Sequence, residues 1–240
     1  MTTFGFIGTG HLGSMLIKKL VETEAIEAEE ILASSRTPEK VERLADATGI
    51  LSVSNRVVAE LSDVIFICVR PLEVRDVLSE LTYLLNSQKL VISVAADVSL
   101  ENMRTLCHAR LARAFPSMAS EKLQGVTLLA FGDNTTVEDR RLIIGLFHAI
   151  GQAVEVEEKD FAVLADLTSS APGYFAALMR EFVLAAERRE INSELAERLV
   201  KQTLLGTAFL LEEESFAGLI ESVAVSARKP PTSVLPLEGA

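Results

Sequence analysis

The stretch TFGFIGTGHLG, residues 3–13, constrains the fold more than any other. A short apolar run closes on Gly8, and Gly8, Gly10 and Gly13 stand in G-x-G-x-x-G spacing at the head of the helix-periodic HLGSMLIKKLVET. In such a strand-to-helix turn the first glycine permits the tight bend. The second lets backbone amides approach a pyrophosphate, and the third lets the helix pack closely on the strand. The motif lies within ten residues of the start, between an expected strand and an expected helix. That context points to a dinucleotide-binding β-α-β unit.

The rest of the first half extends this unit. EILASS reads as a second strand, and TPEKVERLADATG as a helix capped by Thr37 ahead of Pro38. SDVIFICVRP is a buried strand halted by Pro71, LEVRDVLSELTYLL a helix, KLVISVAA a strand, SLENMRTL a capped helix, and ARLARAF a strand stopped by Pro116. GVTLLAFG and AVEVEE read as edge strands around the helix VEDRRLIIGLFHAI. Strands alternating with helices of about a dozen residues imply an α/β fold, a Rossmann-type doubly wound, mostly parallel sheet covered on both faces. After Asp160 the strand signals stop and the pattern is helical to residue 222. The expected domains are therefore 1–157, binding the dinucleotide, and 158–240, a smaller all-helical domain. The second domain's AERLVKQTLLGTAFLL is apolar on more than one face, which predicts a homodimer through it.

The second strand indicates which dinucleotide. NAD-selective folds offer an acidic residue there for the ribose 2′-hydroxyl. This chain offers SSRT instead: Ser34, Ser35 and Arg36 supply hydroxyls and a guanidinium suited to a 2′-phosphate, so NADP (as NADPH) is favoured over NAD. A solvated loop charge is the alternative reading of Arg36. Glu29 and Glu30 precede the strand and are expected to point away.

Several function classes are excluded. The formal net charge of −11 argues against nucleic acid as a partner. Cys68 and Cys107 form no disulfide framework, and with the single His108 and His148 they form no metal spacing. The amino terminus lacks the basic region of a signal peptide and no apolar run is long enough to span a membrane, so a cytoplasmic protein with a small-molecule substrate is expected. No nucleophile elbow G-x-S-x-G occurs. The segment DFAVLADLTSSAPGYFAALMREF holds no lysine between Lys159 and Lys201, which counts against alcohol oxidation by a lysine acid or base of the β-hydroxyacid dehydrogenase kind.

The stretch LTSSAPGYF, residues 167–175, crowds hydroxyls around a proline, as a helix cap or a pocket would. With it, a resemblance emerges. FIGTGHLG is similar to F-I-G-x-G-N-M, CVRP to V-K-P, ISVAADVSL to I-S-x-x-A-G-x-x-L, RAFPS to R-x-M-P-N, LTSSAPGYF to L-S-G-S-G-P-A-Y, and KQTLLGTA to A-x-Q-T-x-x-G-A. In this order and spacing, from residue 4 to about 223, they resemble pyrroline-5-carboxylate reductase, which uses a reduced nicotinamide to convert a cyclic imine to proline. The resemblance implies that Gly8, Gly10, His11, Leu12 and Gly13 hold the pyrophosphate and that Ser35, Arg36 and Asn55 hold the adenosine end. It implies that Val69, Arg70, Pro71, Ala95 and Ala96 line the nicotinamide side, and that Ser170, with Thr168 behind it, lies near the imine. A helix start at this stretch would present backbone amides to a substrate carboxylate.

The departures are specific. VAVSARKPPTSV, residues 223–234, replaces the family's V-x-S-P-G-G-T-T, with Ala227, Arg228 and Lys229 in place of glycines, and the C-terminal segment is shorter. His11 and Ser117 replace asparagines; Ser169 and Ala171 replace glycines. Two readings of different class follow: an NADP-dependent reductase of a cyclic imine or related small substrate, and a non-catalytic dinucleotide-binding regulatory or interaction protein.

Overall fold

The computed structural model describes residues 2–96 and 98–227. Among the described residues eight strands form one sheet: β1 Phe4–Ile7, β2 Ile31–Ser34, β3 Leu51–Ser52, β4 Val64–Ile67, β5 Leu90–Ser93, β6 Arg110–Pro116, β7 Gly125–Phe131 and β8 Gly151–Glu155. Their order is β3-β2-β1-β4-β5-β6-β7-β8, and the first six are parallel. β7 runs antiparallel to β6, with β8 parallel to β7 on the outer edge. This is the doubly wound, mostly parallel sheet the alternating pattern predicts. Of the two strands expected at edges, β8 is one and β7 is enclosed. The other edge is β3, which at two exposed residues is too short to carry an apolar period.

Alternating side chains send each strand into two cores. On one face Phe6 and Phe66 stack at 4.5 Å, and Phe147 of α6 (Val137–His148) meets Phe66 edge-on at 6.3 Å. Helices α1 (His11–Glu22) and α2 (Pro38–Thr48) complete that core with Leu16, Ile17, Leu20, Val41 and Leu44. The other face packs Ile7, Ile65, Ile67 and Val91 against α3 (Asn55–Leu61), α4 (Pro71–Leu81) and α5 (Leu100–Arg104). Strands buried on both faces read as continuous apolar runs, which is why VIFI and LVIS are legible in the sequence. Ser99 caps α5 as expected, whereas Thr37 precedes α2 without a side-chain bond to its backbone; Pro38 at the first helical position already fixes the turn.

Two compact units divide at Ser170. Strand signals end near 157, but the first unit continues because α7 (Phe161–Ala165) inserts Phe161 into the second core, with Leu164 packed against it. The second unit holds α8 (Ala171–Glu187), α9 (Ser193–Glu213) and α10 (Phe216–Ala227), with α8 packed on α9. Asn192 caps α9 by accepting the Leu195 N–H at 3.0 Å. Among the described residues this unit buries only Val183 and Ala196 as core hydrophobics. Phe175, Leu178, Phe182, Leu199 and Leu204 stay exposed, and they line an apolar groove between α8 and α9. Arg228 and Lys229 lie outside the described residues. No described helix is long and apolar enough to cross a membrane, and no described group of three or more His, Cys, Asp or Glu is arranged to hold a metal ion.

Candidate functional site

Strand order reverses between β1 and β4, and in such sheets ligands bind at the carboxyl ends of the strands flanking that point. Hydrogen bonds tie the loops there to one another. The Gly8 N–H donates to Ser34 O at 2.9 Å, Cys68 N–H to Ile7 O at 2.8 Å, and Val94 N–H to Ile67 O at 3.1 Å. The glycine loop therefore sits on a fixed edge. Gly8 has φ +103, in the left-handed region that favours glycine, and a Cβ at Gly13 would stand 2.1 Å from Gly8 O. A Cβ at Gly10 would meet nothing within 4 Å, so open space lies over the start of α1. No side chain caps α1 and its first turn carries no acidic residue, so its leading N–H groups and its dipole are available to an anion. These features fit a dinucleotide pyrophosphate.

Beside this loop, a cavity of about 500 Å³ is lined by Gly8, Ser34, Ser35, Arg36, Ser54, Asn55, Val69 and Glu73, among others. Of the sequence-derived cofactor residues it gathers Gly8, Ser35, Arg36, Asn55 and Val69. Gly10 and His11 line a second cavity, of about 490 Å³, along α1 with Lys18, Lys19, Lys40 and Arg43. Arg70, Pro71, Ala95 and Ala96 line neither. Pro71 opens α4, and Ala95 and Ala96 follow β5 at the level of Val69, since Ile67 pairs with Ser93. Ser35 Oγ accepts the Thr37 N–H at 3.3 Å and keeps its own proton for a ligand.

The electrostatics centre on a residue not singled out by sequence. Glu73 Oε1 accepts from Arg36 Nη1 at 2.5 Å and from Arg70 Nη2 at 2.7 Å, while its other oxygen accepts the Arg70 backbone N–H at 3.2 Å. The hydrogen bond from the Arg70 side chain, with the backbone bond and the Arg36 charge, outweighs burial and brings the Glu73 carboxyl down to about 2. The i,i+3 spacing of Arg70 and Glu73 around a helix-opening proline is the local signal that finds two members of this trio. Its bond to Arg36, 37 positions away, has no local signal. At Cys68, burial pushes the thiol up to about 12, so it is an inert packing group beneath the glycine loop.

LTSSAPGYF departs from expectation. Residues Asp166–Ser170 form a π turn between α7 and α8, so the stretch is not a helix start. The helical run begins at Phe161, which the sheet anchors, and the amides of 167–171 lie inside it rather than free for a carboxylate. Pro172 has no N–H for the carbonyl four residues back, and a π turn just before it is a way to seat that defect. Thr168 Oγ1 donates to Leu164 O at 3.0 Å and Ser170 Oγ to Asp166 Oδ1 at 3.2 Å. With its one proton committed in this way, each hydroxyl keeps only lone pairs, so it can accept a further hydrogen bond but not donate one. The Ser169 Oγ is buried with no hydrogen-bond partner.

Residues 3–97 match the family described as NADP oxidoreductase coenzyme F420-dependent, and residues 158–227 match the pyrroline-5-carboxylate reductase dimerisation family. Pyrroline-5-carboxylate reductase of Methanosarcina acetivorans is 30% identical over 226 residues, covering 92% of this chain and 84% of the relative. The chain belongs to the pyrroline-5-carboxylate reductase family. ComE operon protein 4 of Bacillus subtilis is similar at 29% identity, covering 92% of this chain and 83% of that protein. The solved pyrroline-5-carboxylate reductase of Coxiella burnetii superposes with a TM-score of 0.86 at 28% identity, covering 92% and 84% of the two chains.

Proposed function

We propose that this protein is an NADPH-dependent reductase of a cyclic imine, with pyrroline-5-carboxylate as its first substrate to test. The observation that carries the reading is the uncapped, open start of α1 beside the Ser35–Arg36–Asn55 cavity, in a chain of this family. Gly8, Gly10, His11, Leu12 and Gly13 would hold the pyrophosphate, Ser35, Arg36 and Asn55 the adenosine end, and Val69, Arg70, Pro71, Ala95 and Ala96 the nicotinamide side. When bound, the reduced nicotinamide supplies a hydride to the carbon of a C=N bond. The chain's own part is then positioning and charge. A protonated imine needs an acceptor for its N–H, and Ser170 Oγ, whose proton points to Asp166, offers lone pairs for it. Thr168, bonded to the backbone of α7, would buttress that turn. The dimerisation domain supports a homodimer through α8–α10, and a cytoplasmic enzyme fits the composition.

A second reading, a dinucleotide-binding protein without catalysis, is favoured by one observation: Thr168 and Ser170 both donate into their own turn. NADPH oxidation with pyrroline-5-carboxylate, followed by absorbance with NADPH fluorescence as the binding control, separates the two. Turnover that falls at least about tenfold in Ser170→Ala, with binding intact, supports the reductase. Binding without wild-type turnover overturns it in favour of the second reading.

A further inference from the structure

Glu73 is fixed by α4, where it occupies the third helical position and bonds both the side chain and the backbone N–H of Arg70. Arg36 stands on the loop after β2, and among the described residues its side chain pairs with Glu73 alone. The side-chain exposures show which partner can move: 27% for Glu73 against 79% for Arg36. An NAD-selective fold carries its acidic residue at the end of the second strand. This chain has Ser35 and Arg36 there, but α4 brings a carboxylate into the same cavity from another element. The lining of that cavity sets Arg36 and Arg56 against Glu73, Asp76 and Glu80, two cations against three carboxylates.

Resting on the reading of this cavity as the adenosine end of the cofactor site, we propose that Glu73 is a specificity-determining residue that competes with a ribose 2′-phosphate for Arg36. A 2′-phosphate carries a charge of about −1.5 to −2 and must either draw Arg36 off Glu73 or share it with a neighbouring like charge. A ribose 2′-hydroxyl meets no such penalty and gains an acceptor. Glu73 therefore narrows the preference for NADPH over NADH that Ser35 and Arg36 establish, and the protein accepts both nucleotides.

The test is equilibrium binding of NADPH and NADH by fluorescence to the full-length protein, wild type and Glu73→Gln, with circular dichroism as the check on folding. Glu73→Gln is expected to tighten NADPH about five- to tenfold and to leave NADH unchanged or weaker, raising the ratio of the two dissociation constants. Arg36→Ala reads the pair from its exposed end without touching the α4 cap. It is expected to weaken NADPH about tenfold with little effect on NADH. If the wild type binds both nucleotides and Glu73→Gln leaves their ratio within about twofold or lowers it, this inference falls and the cofactor reading stands. Should Glu73→Gln fail to fold, an equal loss for both nucleotides in Arg36→Ala overturns the inference. Binding of neither nucleotide by the wild type overturns both.

Discussion

Arg113, on β6, points its Nη1 at Glu158 Oε1 across 2.8 Å, and the same oxygen accepts the Leu100 N–H at 2.8 Å. The guanidinium also lies 4.7 Å over the ring of Phe161. One carboxylate thus joins β6, the start of α5 and the turn that leads into α7. The π turn carrying Thr168 and Ser170 hangs from that anchor. Arg113 is buried, so Glu158→Ala would leave its charge without a counter-ion. It is expected to cost about 2 kcal/mol, less than the full value for a buried pair because Glu158 keeps some solvent contact. Urea unfolding checks this: a loss under about 0.5 kcal/mol would remove the anchor.

The glycine loop should separate fold from binding. At Gly13 an added methyl meets the Gly8 carbonyl at 2.1 Å, backbone that cannot swing aside, so Gly13→Ala is expected to destabilise by about 2 kcal/mol or more. At Gly10 the methyl enters open space, so Gly10→Ala should keep its stability within about 1 kcal/mol. Its NADPH binding should fall about tenfold if, as proposed, the backbone at Gly10 approaches the pyrophosphate, because the methyl would then fill that space. Thermal unfolding and fluorescence titration of the two variants read the two effects independently.

Asp139 gives the fold an acid limit. Burial works against its charged form, but the Thr136 backbone N–H and the Arg110 guanidinium, at 2.7 and 3.1 Å, prevail and hold the carboxyl below its ordinary range. With the folded value below the unfolded one of about 3.9, the stabilisation is complete above the unfolded value and is lost as pH falls through the folded one. Asp139→Asn is expected to cost about 2 kcal/mol at neutral pH, with the gap to wild type closing below about pH 4. A gap constant from pH 7 to about 3 would show that the pairing carries no such linkage.

The helical unit's exposed apolar groove should hold a second copy. Phe175 is 54% and Leu199 55% exposed, in a unit whose described residues form almost no core. Phe175→Glu with Leu199→Glu is expected to convert a dimer to monomer at micromolar concentration, read by light scattering. A monomeric wild type, or an unchanged dimer in the double variant, would assign the groove elsewhere.

Much of the molecule is legible in sequence, for identifiable reasons. Gly8, Gly10 and Gly13 fix the turn through local sterics, and doubly buried strands announce themselves as unbroken apolar runs. β3 and α3, at two and seven residues, are too short to build a period. The hydroxyls and Pro172 of LTSSAPGYF imitate a helix start, because the residues that cap a helix also suit a π turn. What displaced the start to Phe161 was burial on the sheet, a long-range contact.

The sequence by itself therefore determined the doubly wound sheet, the glycine loop and the serine and arginine offered by the second strand, since each follows from neighbours in the chain. Tertiary structure alone decided that Glu73 meets Arg36 and that Glu158 meets Arg113, 45 positions apart. Parallel pairing of β2, β1 and β4 brings the loops after β2 and β4 to one edge, and only that register puts the carboxylate and the guanidinium within reach.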